Sequence, residues 1–335
     1  MRRIEVFVLA KKTDVKILFD YVCFTVSLLD FLDGNDENYH YEFIRERIES
    51  KFMLSGLTFS ARCAFNGYNY SYWSNGIVYC FGGQDHIYIQ MSGTGCRTWE
   101  SLHPGLTWDS WIRQLQATYG SLHFSRLDVA CDTFNLLDIR KIQMATMGEQ
   151  FVSKWRTYLC QVGNKENSVI FGSAKSNFRL RIYDKTAERK HALGKQSEQD
   201  IPENWLRLEY QLRDEAVLSF LRPWQDGGDI SEVFFGILKN QLLYYTQFDG
   251  HNYDRIKLKP WWKQLLGNVG KIKMAYQGGV DYNLQRLQSY VIGQAGSSIR
   301  TYISAYDGDI SKLLGAVNSR EYNDRQRALL EQLHK

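Results

Sequence analysis

Proline is scarce in this sequence, with four residues in 335, and no Pro/Gly/Ser-rich tract marks a long linker. Any second domain is therefore expected to be closely joined to the first. Six cysteines are present, Cys23, Cys63, Cys80, Cys96, Cys131 and Cys160, but no C-x-x-C pair. That spacing argues against a zinc site or a disulfide framework. Cys23 and Cys131 lie in apolar, strand-like runs, which suits buried thiols in a reducing compartment. No apolar run approaches the roughly 20 residues of a membrane span. The opening MRRIEVFVLAKK is basic, but its apolar stretch is too short for the core of a signal peptide. A soluble, cytoplasmic, bacterial-type protein without a membrane partner is the expectation.

A dominant charge is missing as well: 41 Lys/Arg face 37 Asp/Glu, a net of +4. The distribution is uneven, with 14 Lys/Arg against 8 Asp/Glu over Gly236–Lys335 and 27 against 29 upstream. A basic C-terminal part suits a polyanionic partner, and a solvated helical surface would look the same.

Aromatic residues, by contrast, are plentiful. Phe, Trp and Tyr make up 14% of the chain, and many alternate with polar residues, the period of a half-buried strand. Strands are predicted over Asp20–Val26, Ser125–Thr133, Trp155–Val162, Ser168–Gly172, Arg179–Lys185 and Trp205–Leu212. Tyr68–Met91 reads as a meander broken at Ser74-Asn75-Gly76 and Gly82-Gly83. Helical spacing marks Glu42–Lys51, Leu106–Tyr119 and Ile139–Gly148. After Pro223 the period is mostly helical, over Ile230–Leu243, Asp281–Gly293, Ser298–Asp307 and Asn323–His334. The predicted class is α+β: a largely antiparallel sheet domain over 1–222, followed by a mainly helical part over 223–335.

Three strands place charge on one face, because successive side chains of a strand point in opposite directions. Arg126, Asp128, Ala130 and Asp132 share a face in RLDVACD. Arg179, Arg181, Tyr183 and Lys185 do so in RLRIYDK, and Arg207, Glu209 and Gln211 in WLRLEYQL. Alternation alone requires only a sheet with one wet face. The kind of charge says more, since three acids and a phenol set among cations are not an ordinary solvated surface. Carboxylates at Asp128, Asp132 and Glu209 are hard oxygen donors suited to Mg²⁺ or Mn²⁺. A tyrosine hydroxyl, with a pKa of about 10, is a weak nucleophile at neutral pH. Arg181 and Lys185, together with a metal, are expected to favour the phenolate of Tyr183 or to clamp phosphates. Lys175 in the segment FGSAKSN, with Arg126, Arg179 and Arg207, completes the expected DNA-binding set.

At these residues the sequence resembles the replication initiation factor family, which includes rolling-circle plasmid initiators, related filamentous-phage proteins and the MobT class of conjugative relaxases. The matching elements are DYVCFTV, IYIQMSGTGCR, SRLDVACD, VIFGSAKSNFRLRIYDKTAE and WLRLEYQLR, in family order over about the first two thirds of the chain. The resemblance implies a fold related to the His-hydrophobic-His endonucleases but without the histidine pair. It also implies a metal-dependent enzyme that nicks one DNA strand at an origin, forms a 5′-phosphotyrosine intermediate and rejoins strands. Tyr183 maps to the nucleophile, and Asp128, Asp132 and Glu209 to the metal site, with Asp20 a further candidate. The implied partners are single-stranded and duplex origin DNA, a host helicase and a second copy of the chain. Replication initiator and conjugative relaxase both fit. A DNA-binding protein without activity and a metal phosphodiesterase using water remain the alternatives. The first strand, starting near Asp20, leaves no room ahead of it for a helix-turn-helix domain.

Overall fold

The computed structural model describes residues 15–32, 40–163, 166–193, 201–251, 255–267 and 296–322, with a few isolated positions besides. In chain order the described elements begin with β1 (Val15–Ser27), the single turn α1 (Leu28–Phe31) and α2 (Tyr41–Lys51). A meander of β2 (Ser60–Arg62), β3 (Tyr70–Ser74), β4 (Ile77–Phe81) and β5 (His86–Met91) leads to α3 (Gly93–Leu102) and α4 (Trp108–Thr118). Next come β6 (His123–Phe134), α5 (Ile139–Met147), β7 (Phe151–Ser153), β8 (Tyr158–Gln161) and β9 (Ser168–Phe171). They are followed by β10 (Phe178–Asp184), α6 (Lys185–Leu193), β11 (Trp205–Leu212), α7 (Glu215–Gln225) and α8 (Ile230–Gln241). β12 (Leu242–Gln247), β13 (Lys257–Leu258) and α9 (Pro260–Leu266) belong with all of these to one compact unit, Met1–Gln277. The second unit, Gly278–Lys335, contains α10 (Gly296–Ser304) and α11 (Ser311–Asn318). The helices expected at Asp281–Gly293 and Asn323–His334 lie largely outside the described residues.

Ten strands form one sheet in the order β2-β3-β4-β5-β1-β6-β11-β10-β9-β8. Every neighbouring pair in it is antiparallel. The β3–β4 hairpin closes at Asn75-Gly76, whose φ values of 44° and 82° match the twist of the flanking strands. The α+β class with a large antiparallel sheet is thus as expected. One face of the central strands is apolar: Leu127, Val129 and Cys131, Leu180 and Ile182, and Leu206, Leu208, Tyr210 and Leu212 are all buried. They join a single core with Trp111 of α4, Ile142 of α5, Phe220 of α7 and Phe234 of α8. Each such apolar side chain contributes about 1.5–3 kcal/mol by leaving water, so the sheet is firmly seated on its helices. The opposite face of the same three strands carries the polar residues.

Two differences from the expected elements have physical causes. Leu242 and Leu243, expected to end the helix Ile230–Leu243, instead open β12, which pairs with β7 through Leu242–Ser153 and Tyr244–Phe151. Its apolar residues continue the helical period of α8, so periodicity alone could not end that helix. α7, not among the expected helices, holds Pro223 in its last turn, where only one backbone bond is lost, and the helix runs on to Gln225.

Candidate active site

The polar face is assembled across β1, β6, β11 and β10, which lie side by side in the middle of the sheet. The register sets Arg207 opposite Asp132, Glu209 opposite Ala130 and Gln211 opposite Asp128. On the other side it sets Tyr183 opposite Arg207, Arg181 opposite Glu209 and Arg179 opposite Gln211. Ala130, at the centre of this array, is fully buried.

A bulge in β1 brings in two further groups. Phe19 pairs with Val129 and Tyr21 with Asp128, leaving Asp20 as the extra residue. One extra residue resets the alternation. Phe19 therefore points into the core while Tyr21, two positions later, joins the polar face. Asp20 reaches Arg207, with Oδ1 2.8 Å from Nη1. The carboxylate also sits against the start of α3: a Cβ on Gly93 would fall 2.7 Å from Asp20 Oδ1. Glycine is required there, and the positive end of the helix favours the acid. Gly95, two residues on, is pressed closer still against the Gly76 carbonyl, which docks α3 on the hairpin.

Each acid on this face is bonded to a guanidinium. Arg126 chelates Asp128, with Nε 2.9 Å from Oδ1 and Nη2 on Oδ2. Arg207 chelates Asp132 at 2.7 and 2.8 Å. Glu209 Oε1 accepts from Gln211 Nε2 at 3.1 Å and faces Arg181 Nη1 at 3.4 Å, while Oε2 accepts from the Tyr183 hydroxyl at 3.2 Å. Arg179 Nη1 donates to Gln211 Oε1 at 3.2 Å. Tyr183, Glu209, Gln211 and Arg179 thus form one hydrogen-bonded chain across two strands.

The state of Tyr183 corrects an expectation. Burial first, and then the negative charge of Glu209, push its phenol well above the ordinary value; Arg207 pulls the other way without offsetting them. Arg181 and Lys185 lie over the ring, 4.9 and 5.4 Å from its centre, and do not make the phenolate the resting form. Lys185 opens α6 and binds Glu188. Arg207, expected to contact DNA, is 5% exposed and shared between Asp132 and Asp20. It organises the acids. Lys175 is exposed in the loop ahead of β10, and Arg126, Arg179 and Arg181 are partly exposed on the polar face.

Carboxylate oxygens suit a hard divalent cation in kind. The arrangement does not: every acid is already engaged by arginine, and among the described residues no three His, Cys, Asp or Glu stand close enough to hold a metal. Asp128, Asp132 and Glu209 share the face but do not form a ligand set.

Asp128 shows what this crowding costs. Burial pushes its carboxyl up to about 6, against the pull of Arg126, and the charges of Glu209 and Asp20 add to the rise. A folded pKa above the unfolded one makes folding favour the protonated form, so stability declines as pH rises from about 4 through 6. At pH 7 the ionised group costs on the order of 3 kcal/mol. Asp128→Asn is therefore expected to match or exceed the parent's urea midpoint at pH 7, with its advantage shrinking toward pH 4. A loss of several kcal/mol at pH 7 would mean that the Arg126 pair is net stabilising.

Residues beyond those expected also belong to the site. Tyr21 lies under Arg126, whose guanidinium carbon is 4.3 Å from the ring centre, and burial pushes its phenol up to about 12. Gln211 links Glu209 to Arg179, and Gly93 seats Asp20. Gln211 was visible from alternation, whereas Tyr21 depended on a bulge that the sequence does not signal.

The sequence model of the replication initiation factor family matches residues 122–317, more than half of the chain and the span that holds β6, β10 and β11. The chain belongs to the replication initiation factor family. It is 22% identical over 331 residues to "Putative DNA relaxase NicK" of Bacillus subtilis (strain 168), covering 91% of this chain and 89% of that protein. Its fold is similar to that of a rolling circle replication initiator protein from Geobacillus stearothermophilus, with a TM-score of 0.59 and 22% identity over 78% of this chain and all of the other. Family membership agrees with the resemblance carried by the strand motifs. Among the described residues no helix is long and apolar enough to cross a membrane.

Proposed function

We propose that this replication initiation factor nicks and rejoins one strand of origin DNA, with Tyr183 as the nucleophile. The observation that carries the reading is the bond from the Tyr183 hydroxyl to Glu209 Oε2, at 3.2 Å, with two cations over the ring. A phenol held neutral cannot wait as phenolate, so its proton leaves as the oxygen attacks. Glu209 Oε2 already accepts that hydrogen bond and takes the proton. The Tyr183 oxygen forms a bond to phosphorus, the bond from phosphorus to the 3′ oxygen breaks, and the departing oxygen takes a proton from water. Run backwards, with a 3′ hydroxyl attacking, the same steps rejoin the strand.

Arg181 and Lys185 cover a side chain that is 5% exposed. Phosphate oxygens draw both cations outward, which uncovers the hydroxyl and places positive charge where the transition state gathers negative charge. Asp128 and Asp132, with their arginines, fix the floor of the site. The more basic C-terminal part contributes to holding origin duplex or a second copy of the chain, and a host helicase extends the nick. Initiation of plasmid-type replication and transfer by a relaxase both use this chemistry.

The test mixes the protein with labelled single strands from the origin of its own genetic element, in Mg²⁺, in Mn²⁺ and in chelator. An adduct that survives denaturing electrophoresis and disappears in Tyr183→Phe is the expected result. Cleavage without an adduct, undiminished in Tyr183→Phe, would assign the reaction to water. Neither cleavage nor adduct on a verified origin would leave a DNA-binding protein without activity. The metal arms show whether the acids, paired with arginine as they are, exchange that pairing for a cation.

A further inference from the structure

Arg179, on the polar face, hydrogen-bonds no acid. Its Nη1 bonds only the neutral amide of Gln211, at 3.2 Å, and its Nε is buried without a hydrogen-bond partner. A buried guanidinium donor left unfilled is costly, and it lies among other cations. Arg213 directly follows β11, and its backbone N–H donates to the Asn177 carbonyl just ahead of β10. Arg213 Nη1 donates to the carbonyls of Ala174 and Ser176, at 3.0 and 3.1 Å, and so fastens the loop carrying Lys175 at this end of the sheet. The acids here are committed: Asp128 to Arg126, and Asp214 facing His123 at 3.3 Å. Burial first, and then the charges of Arg213, Arg181 and Arg126, depress the Arg179 guanidinium, and the charge of Glu209 offsets only part of this.

We propose that Arg179, flanked by Arg126 and Arg213, seats a second backbone phosphate of the single strand bound at Tyr183. The strand then runs along β10 from the tyrosine toward Phe178. Tyr183 and Arg179 are four residues apart on one strand, roughly 13 Å. The second phosphate therefore lies no more than about four nucleotides from the reacting one. The same contact is a positioning device. An anion on Arg179 fixes the hydrogen of Nη1 on Gln211 Oε1, which holds Gln211 Nε2 against Glu209. This inference rests on the proposed role of Tyr183 for its direction, but the phosphate contact itself does not.

The experiment has two arms, so the contact and the tyrosine reading can fail separately. In the first, binding of oligothymidylate to the full chain is followed by fluorescence anisotropy against salt, for the parent, R179Q and R179K. Loss of one phosphate contact should make the log–log slope shallower by about 0.7 and weaken low-salt binding about tenfold in R179Q. R179K keeps the charge and should keep the slope, with part of the affinity lost. An unchanged slope in R179Q, or equal loss of slope in both variants, would overturn the contact. In the second arm, single methylphosphonates are scanned along a strand spanning the nick site, bound to Y183F and to Y183F/R179Q. One position on one side of the nick should carry a penalty that vanishes in the double variant. Additive penalties at every position would overturn the proposed path. A parent chain that forms no adduct would remove the Tyr183 reading and leave the first arm to decide the contact alone.

Discussion

Arg207→Met is expected to be the most destabilising single substitution at the site, by about 3–5 kcal/mol, with a melting temperature lower by on the order of 10 °C. Burial works against the charge of Arg207, yet its bonds to Asp132 and the charge of Asp20 outweigh that and lift the guanidinium above its ordinary value. Removing it strands Asp132, which is 3% exposed, as an ion without a partner. Asp20 is less affected, since its side chain is 24% exposed and rests at the start of α3. Replacing the partner as well, in Arg207→Met with Asp132→Leu, should recover most of the loss, because an apolar pair of similar volume is often as stable as a buried ion pair. Differential scanning calorimetry of the two variants and the parent checks this. A neutral Arg207→Met would mean that water reaches Asp132 and that this part of the face is looser than its geometry.

The second large effect concerns chemistry. Glu209→Gln should slow adduct formation by about 10²–10⁴, while single-strand affinity changes little. Glutamine keeps a hydrogen-bond acceptor for the Tyr183 hydroxyl but cannot take its proton. Rejoining should slow by a similar factor, since the phenol must recover a proton when the strand is released. Glu209→Asp retains a carboxylate and should recover part of the rate. Single-turnover rates over a range of Mn²⁺ concentrations separate this role from metal binding. A deficit that excess Mn²⁺ removes would make Glu209 a ligand, whereas a deficit at every concentration fits a proton acceptor. A variant with the parent's rate would exclude Glu209 from the proton's path.

Much of the central architecture was legible because both faces of three strands are distinctive. In Trp205–Leu212 the alternation of Leu206, Leu208, Tyr210 and Leu212 with Arg207, Glu209 and Gln211 fixed the span, which the structure reproduces at both ends. The face of Tyr183, Arg181 and Arg179 was legible too, but Lys185, expected at the end of that strand, opens α6 instead. Pairing across strands was not legible. Alternation says that Asp132, Glu209 and Arg207 share a face, not that Arg207 would bind two acids and leave no cluster of three for a cation. Nor does it count burial, which is why Tyr183 reads as a phenolate among cations in sequence and is a neutral phenol in the structure. The bulge at Asp20 is local backbone geometry that no residue in DYVCF announces. α3 escaped notice for a related reason: Gly93 and Gly95 are poor helix formers, and close packing against Asp20 and Gly76 requires them there.

The central claim is that one tyrosine, Tyr183, becomes linked to DNA. The most direct measurement traps the adduct on a single-stranded origin oligonucleotide, digests it with nuclease and trypsin, and identifies the modified peptide by mass spectrometry. Cleavage after Arg181 and Lys185 yields the peptide Ile182-Tyr183-Asp184-Lys185, which should carry the nucleotide through a phosphodiester to the Tyr183 oxygen. The nucleotide on a peptide containing Tyr21, Tyr158 or Tyr210, with this peptide unmodified, would contradict the account.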